Sequence, residues 1–130
     1  MRVIICGGRH YRFNAEDRRW LDEFHAIHRI IEVLHGGASG ADTDGGAWAT
    51  AHDIPVKVFD ADWARHGKLA GPIRNKAMLE YLLRDFDYLT PRCVIPFPGG
   101  LGTGNMIALA RRDHVRIVEP GSVLPKETTA

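Results

Sequence analysis

Four short stretches hold the residues able to do chemistry. The stretch "FPGGLGTGN", residues 97–105, places Gly99, Gly100, Gly102 and Gly104 between the apolar run Cys93-Val94-Ile95-Pro96 and the helix-like "MIALARR". Glycine costs chain entropy, so such a cluster marks a sharp turn or a close approach to the backbone. The first amides of a helix lack internal partners and sit at the positive end of its dipole, and a phosphate answers both features. Pro98, Gly99, Gly100 and Gly102 therefore form a candidate anion loop, with Thr103 placed to cap the helix. A glycine-rich turn without any ligand is the competing explanation, and one such loop alone does not displace it.

The second stretch, "HGGASGAD", follows another apolar run. Gly36 and Gly37 strip side chains from the strand end, and Ser39 with Asp42 spells a capping box for a helix from about Gly40. Capping explains Asp42 without a ligand, so Asp42 is only a faint candidate for a catalytic carboxylate. The third, "GKLAGPIRNKAML", starts a helix at Gly71-Pro72 and puts Arg74 and Asn75 in its first turn. A cation there opposes the dipole and calls for an anion: a ligand phosphate, or a carboxylate such as Asp60 or Asp62. The fourth, "GGRHY", supplies Gly7, Gly8 and Arg9, whose guanidinium suits either a phosphate or a bridge to Asp42.

Short apolar runs and helical patterns position these loops. Val3–Cys6, Glu32–His35, Val56–Phe59, Cys93–Ile95 and Val115–Val118 read as buried parallel strands. Helical stripes lie between them: Trp20, Phe24, Ile27 and Ile31 within 15–31; Ala47, Trp48 and Ala51 within 41–52; Ile73, Ala77, Met78, Tyr81 and Leu82 within 72–84; Met106, Ile107 and Ala110 within 104–112. The alternation predicts a single α/β domain over 1–119, Rossmann-like, with a five-stranded parallel sheet covered on both faces. The common order 3-2-1-4-5 brings the loops after strands 1 and 4 together at the switch point, where such sheets bind ligands. Residues 120–130, with two prolines, read as a loose tail.

Composition narrows the partners. The 130 residues carry a net charge of +1, which argues against a broad grip on nucleic acid or an acidic membrane. Cys6 and Cys93 have no metal-ligand spacing and read as buried reduced thiols, consistent with the cytosol. No signal peptide or membrane span is expected, and no pattern calls for a metal or a cofactor. His25 and His28 read as surface residues, and His35 as a hydrogen-bonded residue bordering the core. Trp63 serves equally well to stack on a base or to pin its loop.

The stretches "VIICGGRHY", "HGGASGADTDGGAWA", "VFDADWARHGKLAGPIRNKAML" and "VIPFPGGLGTGNMIALARR" together resemble the YspA branch, related to YpsA, of the SLOG superfamily. The resemblance runs in order to about Val118. It implies a Rossmann-like domain that senses or processes a nucleotide or nucleotide-derived ligand. The LOG phosphoribohydrolases, a related group, carry P-G-G-x-G-T-x-x-E; residues 98–103 fit that pattern, but Met106 stands at the glutamate. Glycosidic cleavage wants a carboxylate near the reacting carbon, so that reaction is in doubt here. LOG relatives also imply a homodimer, for which Trp20 or Trp48 would be interface candidates. Three expectations follow: a nucleotide-binding domain, a hydrolase of a nucleotide derivative, or a protein-interaction module with no small ligand.

Overall fold

The structure, a computed structural model, describes residues 1–84 and 89–125. Its core is a parallel sheet of β1 (Arg2–Cys6), β2 (Glu32–His35), β3 (Val56–Val58) and β4 (Arg92–Pro96), in the order β3-β2-β1-β4. The helices are α1 (Ala15–His28), α2 (Ala41–Ala51), the single turn α3 (Trp63–His66), α4 (Ala70–Leu83) and α5 (Leu101–Arg112). Val3, Ile5, Val33, Cys93 and Ile95 join Trp20, Leu21 and Phe24 of α1 and Trp48 and Ala49 of α2 in one apolar cluster. Ile4, Cys6, Leu34 and Val94 join Met78, Leu79 and Leu82 of α4 and Met106 and Ala110 of α5 in the other. The two-residue period of a strand sends neighbours to opposite faces, so the sheet is covered on both.

Among the described residues the sheet has four strands, not the expected five. Val115–Val118 reaches the anticipated place beside β4 but makes one isolated bridge, Val94 to Ile117. Two hydrogen bonds hold it: Val94 N–H to Arg116 O and Val118 N–H to Val94 O, each 2.9 Å. The next rung would need N–H groups from Pro96 and Pro120, and proline has none. Within 120–125 of the expected tail, Ser122 O accepts from Trp20 Nε1 of α1 at 3.0 Å and Leu124 packs against the core cluster. The remainder, 126–130, is outside the described residues.

Several helix faces differ from expectation for local reasons. Helix α1 stops at His28 because Arg29 turns left-handed (φ 50°), so Ile30 is buried and Ile31 is exposed. Helix α2 buries Gly45 and Gly46 and leaves Ala47 and Ala51 exposed, since Gly45 lies against Ile5 and Gly46 against the His35 ring. Helix α4 starts at Ala70 after a 3₁₀ turn at Gly67–Leu69, so Arg74 and Asn75 stand in its second turn rather than its first. Ile73 and Ala77 then face outward. Trp20 and Trp48 are core residues, not interface candidates: each is at least nine-tenths buried, and Trp48 Nε1 donates to Asp22 Oδ1 at 2.9 Å. His25 and His28 are half-buried rather than on the surface; Ile30 N–H donates to His25 Nδ1, and His28 lies against Phe24.

Candidate functional site

The strand order reverses between β1 and β4, the switch point at which open parallel α/β sheets bind ligands beyond the carboxyl ends of their strands. A cleft of about 1310 Å³ opens over these carboxyl ends. It gathers residues 7–9, 36–39 and 98–103 with Asp42, Arg74 and Asn75. Every residue proposed from the sequence as a ligand contact lines it except Gly40, which lies beneath and joins two loops. At Gly40 the backbone has φ 80° and ψ −129°, and an added Cβ would strike the backbone of Arg9. Ser39 Oγ donates to Arg9 O at 3.2 Å, and Gly8 N–H donates to Pro98 O at 2.8 Å. The loops after β1, β2 and β4 are thus tied to one another.

One end of the cleft is formed by the start of α5. Helix α5 has no side-chain cap; Thr103 is its third residue and does not cap it. The amides of Leu101, Gly102 and Thr103 precede the first i to i−4 bond, Gly104 N–H to Gly100 O at 3.0 Å. A Cβ at Gly100 or Gly102 would meet no atom within 4 Å, so packing in the protein itself does not require glycine there. The Arg9 side chain is exposed on the cleft and makes no ion pair among the described residues.

The middle of the cleft is organised around Gly36. Arg74 Nη1 donates to Gly36 O at 2.6 Å, and Gly36 N–H donates to Asp42 Oδ2 at 3.0 Å. Ala38 N–H also reaches Asp42 Oδ2, at 3.4 Å. Asp42 therefore turns back into the β2 loop, and the capping box expected from Ser39 and Asp42 does not form. Gly37 N–H donates to His35 Nδ1 at 3.0 Å, so this ring fixes the loop from below as a neutral acceptor. Burial lowers the His35 pKa, with Asp60 opposing and Arg74 assisting. Asn75 is spent on scaffolding: it accepts from Arg74 Nε at 2.9 Å and donates to Gly102 O and Asn105 Oδ1, each at 3.0 Å. It has no donor left over for a ligand.

Asp42 is only 5% exposed, and burial raises its pKa more than the Ala38 amide, Arg74 and the Gly36 amide lower it. A carboxyl whose folded-state pKa lies above its unfolded one adds stability at low pH and loses it as pH rises through the folded value. Asp42→Asn keeps an oxygen for both loop amides and carries no charge. Its melting temperature is expected to equal or exceed wild type at pH 7, with the advantage shrinking toward pH 4. Thermal melts across pH 4–8 check this; a constant deficit at every pH would contradict it.

The far wall holds residues that the sequence reading had passed over or left undecided. Trp63 is 53% exposed and lines the cleft beside Gly71, with Asp60 and Lys68 nearby on its surface. Cys6 and Met78 form part of the floor. Burial drives the Cys6 thiol far above its usual range, so it stays protonated and unreactive. The loop after β3 gave the one available signal, since it leaves the same sheet edge as the glycine loops. Asn105 gave none, because its role exists only through Asn75. Met106 is fully buried among the α4 side chains and does not reach the cleft. A smaller cavity of about 370 Å³ lies on the other flank of the 97–100 loop, bordered by Pro96, Glu119 and Pro120. The described residues contain no metal-ligand cluster and no helix long and apolar enough to cross a membrane.

A parallel α/β sheet whose glycine loops converge at the switch point fits the Rossmann-like domain that the resemblance implies, and sequence comparison agrees. The Gene 61 protein of Mycobacterium phage D29 is 36% identical over 84 residues, covering 60% of this chain and 67% of that protein. The sequence profile of the YspA, cpYpsA-related SLOG family matches residues 1–66, from β1 through the β2 loop to the end of α3. With half the chain matched and the remaining loops converging on the same cleft, the protein belongs to the YspA, cpYpsA-related SLOG family.

Proposed function

We propose that the cleft binds a nucleotide or nucleotide-derived ligand, its phosphate seated on the start of α5. The observation that carries this is the uncapped helix end: three first-turn amides face a cleft through glycines that nothing in the protein fills. Arg9 and Arg74 supply positive charge, and the exposed Trp63 ring offers a face on which a base can stack. The volume accommodates a mononucleotide or a larger derivative. Cys6 and Cys93 are both free and buried, which favours a reducing, cytosolic setting.

Binding is favoured over turnover because residue 106, where LOG enzymes carry a glutamate, is a methionine sealed in the core. The interaction-module reading finds its support in the exposed Leu69, Ile73 and Leu101, but a cleft this wide with charged walls fits a small ligand better.

Titration calorimetry of the protein with AMP, ADP-ribose and NAD tests the proposal. Arg74→Ala removes a cation and two hydrogen bonds at the cleft, and should weaken whichever ligand binds by about 10- to 100-fold. No heat with any of the three at millimolar concentration would end the proposal. Free base or phosphate released during incubation would show that the site turns its ligand over.

A further inference from the structure

Asp42 and Arg74 each keep one charged atom unused. Asp42 gives Oδ2 to the Gly36 and Ala38 amides, while Oδ1 has no partner among the described residues and is not among the sealed unpaired atoms. Arg74 uses Nη1 and Nε, and Nη2 likewise has no partner and is not sealed. Both side chains line the cleft, one on each side of the Gly36 peptide, yet no ion pair forms between them within 4.0 Å. A carboxylate that is nineteen-twentieths buried with an open oxygen is costly unless a ligand completes it.

The chemistry of the missing partner follows from the two signs. An anion alone would be repelled by Asp42, and a cation alone by Arg74. A hydroxyl satisfies both, donating to the carboxylate while accepting from the guanidinium, and two adjacent hydroxyls do so with both groups at once. Asn75 sets the spacing. It is bonded to Arg74 on one side and to Gly102 O, in the first turn of α5, on the other. The hydroxyl-reading pair is thus held at a fixed distance from the amides proposed to hold phosphate.

We infer that Asp42 and Arg74 read the vicinal hydroxyls of a phosphorylated ribose, making the site selective for ribose over 2-deoxyribose. The inference rests on the proposed nucleotide site and narrows its ligand class. Asp42 is the specificity-determining member, because Arg74 also contributes charge to any anion.

The test compares ribose 5-phosphate with 2-deoxyribose 5-phosphate, and AMP with 2′-deoxy-AMP, by protein-observed NMR titration. Inorganic phosphate is titrated separately, with the 101–103 amides as its readout. Wild type should bind each ribose compound about 10- to 100-fold more tightly than its deoxy partner, as expected for a lost hydrogen bond to a charged group. In Asp42→Asn that ratio should fall to about threefold or less, while the phosphate response at 101–103 is unchanged. A structural role for Asp42 would shift both members of a pair alike and leave the ratio intact. Equal affinity for both sugars in wild type, with phosphate still moving 101–103, overturns the hydroxyl reading and leaves the nucleotide reading standing. No response to any of the probes, phosphate included, overturns both.

Discussion

Gly102→Asp should make the protein more stable and its cleft unable to bind. Gly102 is the second residue of α5, and a side chain there meets no atom within 4 Å. Glycine is among the poorest helix formers, and an acidic residue in a first turn complements the dipole, so the gain should be about 1 kcal/mol. The same carboxylate would occupy the space in front of the 101–103 amides and repel a phosphate, and affinity for AMP should fall by about 100-fold or more. Thermal melts and calorimetry on one preparation read both effects. Gly102→Ala separates them further, since it should keep most of the stability gain and lose less affinity. A Gly102→Asp protein that binds AMP like wild type would remove α5 from the site. A gain in stability at the expense of binding is what a stability–function trade-off predicts.

The largest loss of stability should come from Gly40→Ala. The backbone there lies at φ 80°, ψ −129°, outside the regions open to residues with a Cβ, and the new Cβ would run into Gly8 O and the Arg9 carbonyl. Those are main-chain atoms held by further bonds: Gly8 O accepts from Tyr11 N–H at 3.1 Å and Ala41 N–H at 3.2 Å. Strain and overlap together should cost about 3–5 kcal/mol, a large part of a small domain's stability. Urea denaturation measures it, with Gly104→Ala as control. Gly104 lies in α5 with open space around its Cβ position, so that change should be neutral or gain up to about 1 kcal/mol. If both variants unfold at the wild-type midpoint, the junction at Gly40 is not as close as described.

The sequence carries the parallel α/β sheet through its alternation of strand and helix, and the observed order through β4 is the common one assumed for such sheets; the gathering of the loops follows from that order. It misleads where a tertiary contact overrides a local pattern. Ser39 and Asp42 match a capping box, but the carboxylate turns to the amides of Gly36 and Ala38 instead. Ala47 and Ala51 of α2 look like part of a core face, yet they are exposed, and Gly45 and Gly46 are the residues that allow close approach to Ile5 and His35. Asn75 looks like a ligand contact from its position next to Arg74. Its role as a brace depends on Gly102 and Asn105, which lie 27 and 30 residues away. Such a partner has no periodic signature, so no reading of spacing finds it.

The paired prolines that end the β4 edge also determine how the 97–100 loop is supported. Without donors at Pro96 and Pro120, the flanking chain peels away from the sheet just as the loop begins, and the smaller cavity fills the gap. On that flank the loop is cantilevered. Its anchorage comes from the opposite side, through Phe97 N–H to Cys6 O and Gly8 N–H to Pro98 O, both 2.8 Å. The position of the loop over the cleft is therefore set by β1 and its own loop, and not by the chain that follows α5.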